Sequence, residues 1–316
     1  MLALGIDIGG TDIKMGLVDE AGKVTALCRF PTEARGSDPQ PVLDRIVTHA
    51  GQVMAQAGLP LIGIGVSTHG FIDDARRGPI VCQNTPALTG VDLKGLLENH
   101  FHLPTIVNND LTAHMLAEYT YGSGRGVRRF LCMALGTGLG AGVMLNGQPV
   151  RLIGGKPGDT GRIIIEPDAE ETCVYGVRGS AEALIGTPNI ERLAQRAYGR
   201  AVPAHDVIAA ARDGSDATAI AIMTQIGAYL GETLASLCSL FLPDRVALTG
   251  GTAEAGPVLL RACRQRFDEL VGEFHDLIAR TAGDYYGGVE IVLGTMRGET
   301  GVIGATVELF QQQTPR

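Results

Sequence analysis

The first apolar run of the chain carries an acid near its end and breaks into a polar turn that is rich in glycine. Asp7 stands near the end of this run, Gly9, Gly10 and Thr11 follow it, and Lys14 comes shortly afterwards. Adjacent glycines let backbone N–H groups approach an anion that a Cβ would keep away. Thr11 adds a hydroxyl donor, Lys14 adds a positive charge, and Asp7 is placed to hold a hydrated Mg²⁺ ion. The segment therefore suits the phosphates of a nucleotide and their metal.

Two familiar nucleotide-binding patterns are absent from this segment. It contains no GxxxxGK[ST] sequence, and no GxGxxG sequence opens a helix after the strand. Taken alone, the segment is also compatible with an ordinary glycine-rich turn of a β-hairpin. The choice between these two interpretations depends on the rest of the chain.

The second half of the chain begins with the same plan as the first. A predicted strand over 129–135 ends in Gly136, Thr137 and Gly138, and a returning strand follows. A single turn of this kind could be a bend or bulge in a glycine-rich strand. Two such turns in matching places favour two related α/β domains that face each other, with a phosphate-binding turn from each side of one cleft.

This repeat predicts where the domains lie. The first domain covers 1–120, the second covers 121–300, and a C-terminal helix over 301–316 packs back on the first domain. The polar, glycine-rich segment 122–128 forms the link between them.

An acid and a third glycine turn follow other predicted strands. Asp110 stands between a short strand and a helix, where a carboxylate could take a proton from a hydroxyl group that attacks phosphorus. A helix N-cap is the alternative role for an Asp at such a junction. Gly250 and Gly251 follow a later strand, and they could let the backbone pass close to a nucleobase or form a tight connection to a helix.

Composition excludes several other classes of protein. The net charge is −8 and the pI is about 5.4, whereas a nucleic-acid-binding protein would need a basic stripe. No stretch reaches the roughly 18 apolar residues of a membrane span, and the N-terminus has no basic region typical of a signal peptide. The 6 cysteines form no CxxC pair, so no disulfide framework is indicated. We therefore expect a cytoplasmic protein that binds neither nucleic acid nor membranes.

Four segments together resemble the ROK family of repressors, open reading frames and kinases, which belongs to the sugar kinase and actin-like ATPase superfamily. They are DIGGTDIK at 7–14, NND at 108–110, GTGLGAG at 136–142 and GG at 250–251. The resemblance covers almost the whole chain. It implies two actin-like (ribonuclease H-like) domains around a cleft for ATP and sugar, Mg²⁺-dependent transfer of the γ-phosphoryl group of ATP to a sugar hydroxyl, and a homodimer.

The resemblance also implies a role for each matching residue. Asp7 corresponds to the acid on the metal side of the first turn, and Asp110 corresponds to the catalytic base. The phosphates would be bound by Gly9, Gly10, Thr11, Lys14, Gly136, Thr137 and Gly138, and the adenosine by Gly250 and Gly251. The sugar would be bound by Asn84, Asn109, Asp110 and Glu182. Asp159 and Arg162 occupy two further sugar-binding positions, where the family usually has Glu and His.

One segment departs from the family pattern. Relatives with a structural zinc ion carry GExGH followed by CxCGxxGCxE, and the aligned ligand positions here are Arg162, Cys173, Tyr175 and Ser180. Only Cys173 is a credible ligand, and a structural site needs about four donors, so no zinc is expected. Arg162 either contacts an anionic or otherwise unusual group on the acceptor, or it pairs with a neighbouring acid and replaces the zinc structurally.

Two other functions compete with a kinase. A sugar-binding regulator of the same family could have lost catalysis, although the retained Asp7, Asp110 and both phosphate turns speak against this. A repressor would carry a helix-turn-helix domain ahead of the first strand, whereas here that strand begins at residue 2. We therefore expect an ATP-dependent sugar kinase.

Overall fold

The computed structural model describes residues 1–313, and the chain divides into two compact units. Unit 1 contains Met1–Arg125, Pro149–Gly158 and the described residues from Thr295 onward, and unit 2 contains Gly126–Gln148 and Asp159–Gly294. The segment 149–158 therefore belongs to unit 1, whereas the sequence-based division includes it in the second domain. The last part of the predicted C-terminal helix, 314–316, lies outside the described residues.

Strands and helices alternate along most of the chain. The strands are β1 (Leu2–Ile8), β2 (Asp12–Asp19), β3 (Val24–Pro31), β4 (Leu61–Thr68), β5 (Phe71–Ile72), β6 (Pro79–Val81), β7 (Thr105–Asn109), β8 (Arg129–Leu135), β9 (Leu139–Leu145), β10 (Gln148–Pro149), β11 (Arg245–Thr249) and β12 (Glu290–Leu293). The α-helices are α1 (Gln40–Met54), α2 (Leu93–Phe101), α3 (Asp110–Tyr121), α4 (Ala181–Ile185), α5 (Thr187–Tyr198), α6 (Ala204–Arg212), α7 (Ala217–Phe241), α8 (Pro257–Phe267), α9 (Glu273–Ala282) and α10 (Thr300–Gln313). A π-helical turn, Asp268–Gly272, separates α8 from α9.

Each unit is built on a five-stranded sheet, and the two sheets share one plan. Unit 1 has the strand order β3-β2-β1-β4-β7, and unit 2 has the order β10-β9-β8-β11-β12. In unit 1, β1 is antiparallel to β2 and parallel to β4, which is parallel to β7. In unit 2, β8 is antiparallel to β9 and parallel to β11, which is parallel to β12. The predicted repeat of strand, glycine turn and returning strand is confirmed in both units.

The sheet of unit 1 is covered on both faces. Alternate apolar residues of β1, such as Leu4 and Ile6, pack with α1 and α2 in one buried cluster. Ala3 on the opposite face packs with Val302 and Leu309 of α10 in another. A Cβ on Gly5 of β1 would collide with the backbone of α10, so this glycine sets how closely the helix approaches the strand. Packing on both faces of the sheet therefore fixes the strands that carry the candidate site.

No helix within residues 1–313 combines the length and apolar character that crossing a membrane requires.

Candidate active site

The first glycine turn joins β1 to β2 and is held from the end of β3. The Gly9 N–H donates to the Asp12 carbonyl (3.0 Å), which closes the turn. Thr32 fixes it from outside, because its N–H donates to the Thr11 carbonyl (2.8 Å) and its hydroxyl donates to the Gly9 carbonyl (2.7 Å). A Cβ on Gly9 would stand only 2.8 Å from the Asp12 carbonyl oxygen. The turn thus has the compact, preset backbone that a phosphate-binding loop requires.

Asp7 lies in β1 immediately before this turn, opposite Lys14 on β2. Its carboxylate accepts a hydrogen bond from the Ser67 hydroxyl (2.8 Å) on the neighbouring strand β4. Gly301, in the first turn of α10, lies so close that a Cβ there would collide with the carboxylate. Two strands and a helix from distant parts of the chain therefore fix the position of Asp7.

The electrostatic environment of Asp7 suits a bound cation. Burial is the main reason why its pKa is raised, and His114 opposes that rise most strongly. The hydrogen bond from Ser67 and the charge of Lys14 also lower the pKa, whereas the charge of Asp110 raises it. A half-buried carboxylate near a second carboxylate gains from a nearby cation, and Mg²⁺ prefers oxygen ligands of this type. The donor set therefore fits a magnesium ion, with Asp7 as the residue that would hold it.

Asn109 and Asp110 lie at the junction of β7 and α3, and they have different roles in it. Asn109 is the N-cap of the helix, since its side-chain oxygen accepts from the Leu111 N–H (3.0 Å). Its amide nitrogen donates to the Gly70 carbonyl (2.8 Å), so the predicted sugar ligand already has two protein partners. Asp110 is the first residue of α3 and accepts from the same Leu111 N–H (3.0 Å). The N-cap of α3 is therefore Asn109 and not Asp110.

Asn84 belongs to the segment 82–89, which connects β6 to α2 and lies against the first glycine turn. A Cβ on Gly10 would stand 3.2 Å from the Cβ of Asn84, so the side chain of Asn84 covers the turn at close range. Asn84 itself is exposed. Unit 1 thus brings together the first turn, Lys14, Asn84 and the pair Asn109 and Asp110.

The second glycine turn joins β8 to β9 in unit 2 and rests on Glu182. The Gly136 N–H donates to the Gly138 carbonyl (3.0 Å), and the Leu139 N–H donates to Glu182 Oε2 (3.1 Å). A Cβ on Gly138 would stand 2.8 Å from that same carboxylate oxygen. These hydrogen bonds hold the ends of the turn, and Thr137 between them is exposed. Glu182, which the sequence predicts as a sugar ligand, therefore supports the second glycine turn.

Arg162 is held by acidic and aromatic side chains of unit 2. Its Nη1 donates to Glu182 Oε1 (2.6 Å), and its Nε lies 3.7 Å from Asp159 Oδ2. Its guanidinium also stands 4.2 Å from the centre of the Tyr175 ring, within range of a cation–π interaction. These contacts are the ones that the structural role predicts. Within residues 1–313, no group of three or more His, Cys, Asp or Glu side chains is arranged to hold a metal ion.

The third glycine turn follows β11 and packs on the end of β8. Gly250 has φ of +86°, and a Cβ there would collide with the Leu135 carbonyl, which directly precedes the second turn. Gly251 begins a short 3₁₀ helix, Gly251–Ala255. Within unit 2, the second and third glycine turns are therefore neighbours.

Several residues of the site have no role in the sequence-based prediction. Ser67 is a polar residue at the end of an apolar strand, which is the kind of signal that could have identified it. His69 follows the end of the same strand, and its residue type alone does not assign it a role. His114 lies one helical turn after Asp110 on α3, and Gly301 is remote in sequence from every other site residue. No local pattern indicates the last two.

Comparisons with known proteins concern the family and the fold of this chain. The model of the ROK family matches residues 3–310. The chain is 30% identical to a glucokinase of Halalkalibacterium halodurans, with 98% of this chain and 95% of that protein covered. A ROK hexokinase structure from Thermus thermophilus matches with a TM-score of 0.82 at 26% identity and covers 99% of both chains. A ROK family glucokinase structure from Streptomyces griseus, in complex with glucose and AMPPNP, matches with a TM-score of 0.79 at 26% identity, covering 98% of this chain and 100% of that one. The structural matches confirm the predicted fold class.

Proposed function

We propose that this chain, which belongs to the ROK family, is an ATP-dependent sugar kinase that transfers the γ-phosphoryl group of ATP to a hydroxyl group of a monosaccharide or close derivative. One observation carries the proposal. Asp7 and Asp110 lie at the same edge of one sheet, because β1, β4 and β7 are parallel and Asp7, Ser67 and Asn108 are in register across them. A metal-side acid and a base thus stand on either side of β4, next to a phosphate-type turn.

In the proposed reaction, Asp110 accepts the proton of the acceptor hydroxyl as its oxygen forms a bond to the γ-phosphorus. The bond between that phosphorus and the β–γ bridging oxygen breaks, and ADP leaves with the electron pair. Gly9, Gly10 and Thr11 orient the phosphates through the fixed turn, and Lys14 supplies positive charge. A magnesium ion held by Asp7 would neutralise charge on the phosphates, which is the main requirement of phosphoryl transfer.

In unit 2, we assign Gly136, Thr137 and Gly138 to the phosphates, and Gly250 and Gly251 to the adenosine. Backbone geometry supports this assignment at one glycine of each turn, because a Cβ on Gly138 or Gly250 would collide with a neighbouring group.

For the acceptor, we assign Asn84 and Asn109 in unit 1 and Asp159 and Glu182 in unit 2. Arg162 stays with Glu182 and acts on the acceptor only by fixing that carboxylate. The positive charge of Arg162 is balanced within the protein, so nothing in its contacts selects for an acidic sugar. We therefore propose a neutral sugar as acceptor, with glucose as the first compound to test.

The test mixes the protein with Mg-ATP and a panel of neutral, amino and acidic sugars, and it follows ADP and sugar phosphate together. Asp110→Asn keeps the size of the side chain and removes the base, so turnover should fall by about 10²–10⁴. Asp92→Asn is the matched control, because Asp92 caps α2 on the surface and asparagine can also cap a helix. Sugar binding without turnover in the wild-type protein would instead favour a non-catalytic regulator.

A further inference from the structure

His69 follows the last residue of β4 and connects two parts of the candidate site in unit 1. Its Nδ1 lies 3.2 Å from the Ile8 carbonyl at the end of β1, next to the first glycine turn. Its Nε2 lies 3.3 Å from the Thr85 hydroxyl, in the segment that carries Asn84. The imidazole ring therefore bridges β1, which leads into the first glycine turn, and the segment 82–89, which carries Asn84 and is called the acceptor segment below.

The partners of the ring determine which nitrogen carries the hydrogen in its neutral form. The Ile8 carbonyl can only accept, so Nδ1 donates, and Nε2 accepts from the Thr85 hydroxyl. Cys82 completes the network, because its sulfur lies 2.8 Å from the Thr85 hydroxyl oxygen and its thiol donates to the His69 carbonyl (3.3 Å). Both ring nitrogens thus have protein partners, and His69 has no nitrogen left to bind a substrate.

The same turn is held on its other side. Gly70 has φ of +99°, and a Cβ there would collide with the Val81 carbonyl, so the turn and the chain before Cys82 pack backbone to backbone. The Asn109 amide donates to the Gly70 carbonyl (2.8 Å) and so links the turn to the residue before Asp110. The His69–Gly70 turn is therefore the point where β1, the acceptor segment and the base-bearing junction meet.

We propose that His69 is a positioning residue for the acceptor, which fixes the segment 82–85 through Thr85 so that Asn84 is held over the first glycine turn. This inference rests on the proposed kinase function and on the assignment of Asn84 to the acceptor. Thr85 and Cys82 are 0% and 2% exposed, so the network is buried while Asn84 itself is exposed. Loss of the network frees the acceptor segment and leaves the phosphate turn closed by Thr32.

Two single variants and their double test the proposal. Thr85→Val keeps the shape of the side chain and removes the hydroxyl, and His69→Asn keeps a donor near Ile8 but does not reach Thr85. Each variant should raise the KM for the sugar about five- to tenfold, because this factor corresponds to the free energy of one buried hydrogen bond. The KM for ATP should change less than about twofold. The double variant should be no worse than the single variants, because both remove the same bond.

Thr306→Val is the matched control. Thr306 is equally buried in unit 1, and its hydroxyl bonds within α10 to the Ile303 carbonyl (2.8 Å), away from the acceptor segment. It should reduce stability without changing the KM for the sugar. An unchanged KM for the sugar in Thr85→Val and His69→Asn, an equal rise in the KM for ATP, or fully additive effects would overturn the proposal.

A second readout does not depend on activity. In a Cys28→Ser background, the rate at which iodoacetamide labels Cys82 is measured by peptide mass spectrometry, since Cys28 is the half-buried cysteine and the others are buried. Thr85→Val should raise this rate at least about fivefold, because the segment opens more often once one hydrogen bond is lost. An unchanged rate would refute the fixing of the segment even if no sugar were turned over. Absence of turnover in the wild-type protein would refute the proposed function alone.

Discussion

Replacing Arg162 with methionine removes the positive charge beside Glu182 and keeps much of the aliphatic volume. Glu182 would retain the hydrogen bond from the Leu139 N–H (3.1 Å) but lose its partner at 2.6 Å. The two side chains are 19% and 11% exposed, so the carboxylate would remain mostly buried with no guanidinium beside it. We expect the variant to be destabilised and the second glycine turn to lose part of its support.

The size of this effect follows from the geometry. Two unit charges about 4 Å apart attract each other by about 4 kcal/mol at an effective dielectric constant of about 20. Removal of one partner of a fully buried pair costs about 3–5 kcal/mol. Partial exposure of Arg162 and Glu182 reduces that figure, and we expect a loss of about 2–3 kcal/mol in the free energy of unfolding.

Urea unfolding of a double-mutant cycle measures the pair directly. Glu182→Gln can still accept from Leu139 and carries no charge, so the double variant should be more stable than the sum of the single effects predicts, by about 1–2 kcal/mol. Arg212→Met is the matched control, because Arg212 forms an exposed pair with Asp213 and its loss should leave the free energy of unfolding nearly unchanged. A loss below about 0.5 kcal/mol in Arg162→Met, with no coupling to Glu182, would refute the structural role and favour a contact between Arg162 and the acceptor.

Two further predictions concern unit 1 and a buried histidine of unit 2. Gly301→Ala should raise the Mg²⁺ concentration for half-maximal activity about tenfold, since the added Cβ displaces the Asp7 carboxylate. Gly272→Ala, where a Cβ would meet nothing nearer than 3.5 Å, should leave it unchanged, and an equal response of the two variants would contradict this reasoning. Burial lowers the pKa of His275, so the unfolded chain binds a proton more readily, and the free energy of unfolding should fall as the pH drops below about 6.5. Urea unfolding on both sides of that pH should show a smaller fall in His275→Phe, and an identical fall would exclude His275 as the cause.

The parts of the fold that local sequence determines were predictable. An Asn-Gly pair that follows an apolar strand favours a type I′ turn, and Asn146 and Gly147 both have positive φ, at 51° and 76°. The glycine turns after β1 and β8 could be located for a similar reason, since a strand that ends in Gly-Gly or Gly-Thr-Gly leaves few conformations open. The repeat along the chain predicted the hairpin that opens each unit, and the order of the other strands came only from the structure.

Contacts between distant segments could not be predicted in this way. Asn109 donates a hydrogen bond to Gly70, and Asp7 packs against Gly301. In both cases the two residues are distant in sequence, and no local pattern predicts that they meet. Arg162 pairs with Glu182, which lies 20 positions later in the sequence. That pairing depends on the path of the backbone between the two residues. Residue types and local motifs predict which residues could react. The contacts that position those residues depend on tertiary packing.

The charges around two buried carboxylates of unit 1 show how a structural acid differs from one kept for a ligand. Glu308 is paired with Arg76 (2.6 Å) and Arg151 (2.9 Å), and these charges hold its pKa below the usual value despite burial. Asp7 makes no ion pair within residues 1–313, and its pKa is raised because Lys14 and its other neighbours do not offset burial. A carboxylate in that condition destabilises the folded protein unless a cation is supplied from outside, and such sites cluster where proteins bind ligands. The half-buried Asp7, with a raised pKa and a hydrogen bond from Ser67, therefore differs from the ion-paired Glu308 in the way expected of a carboxylate that binds a cation.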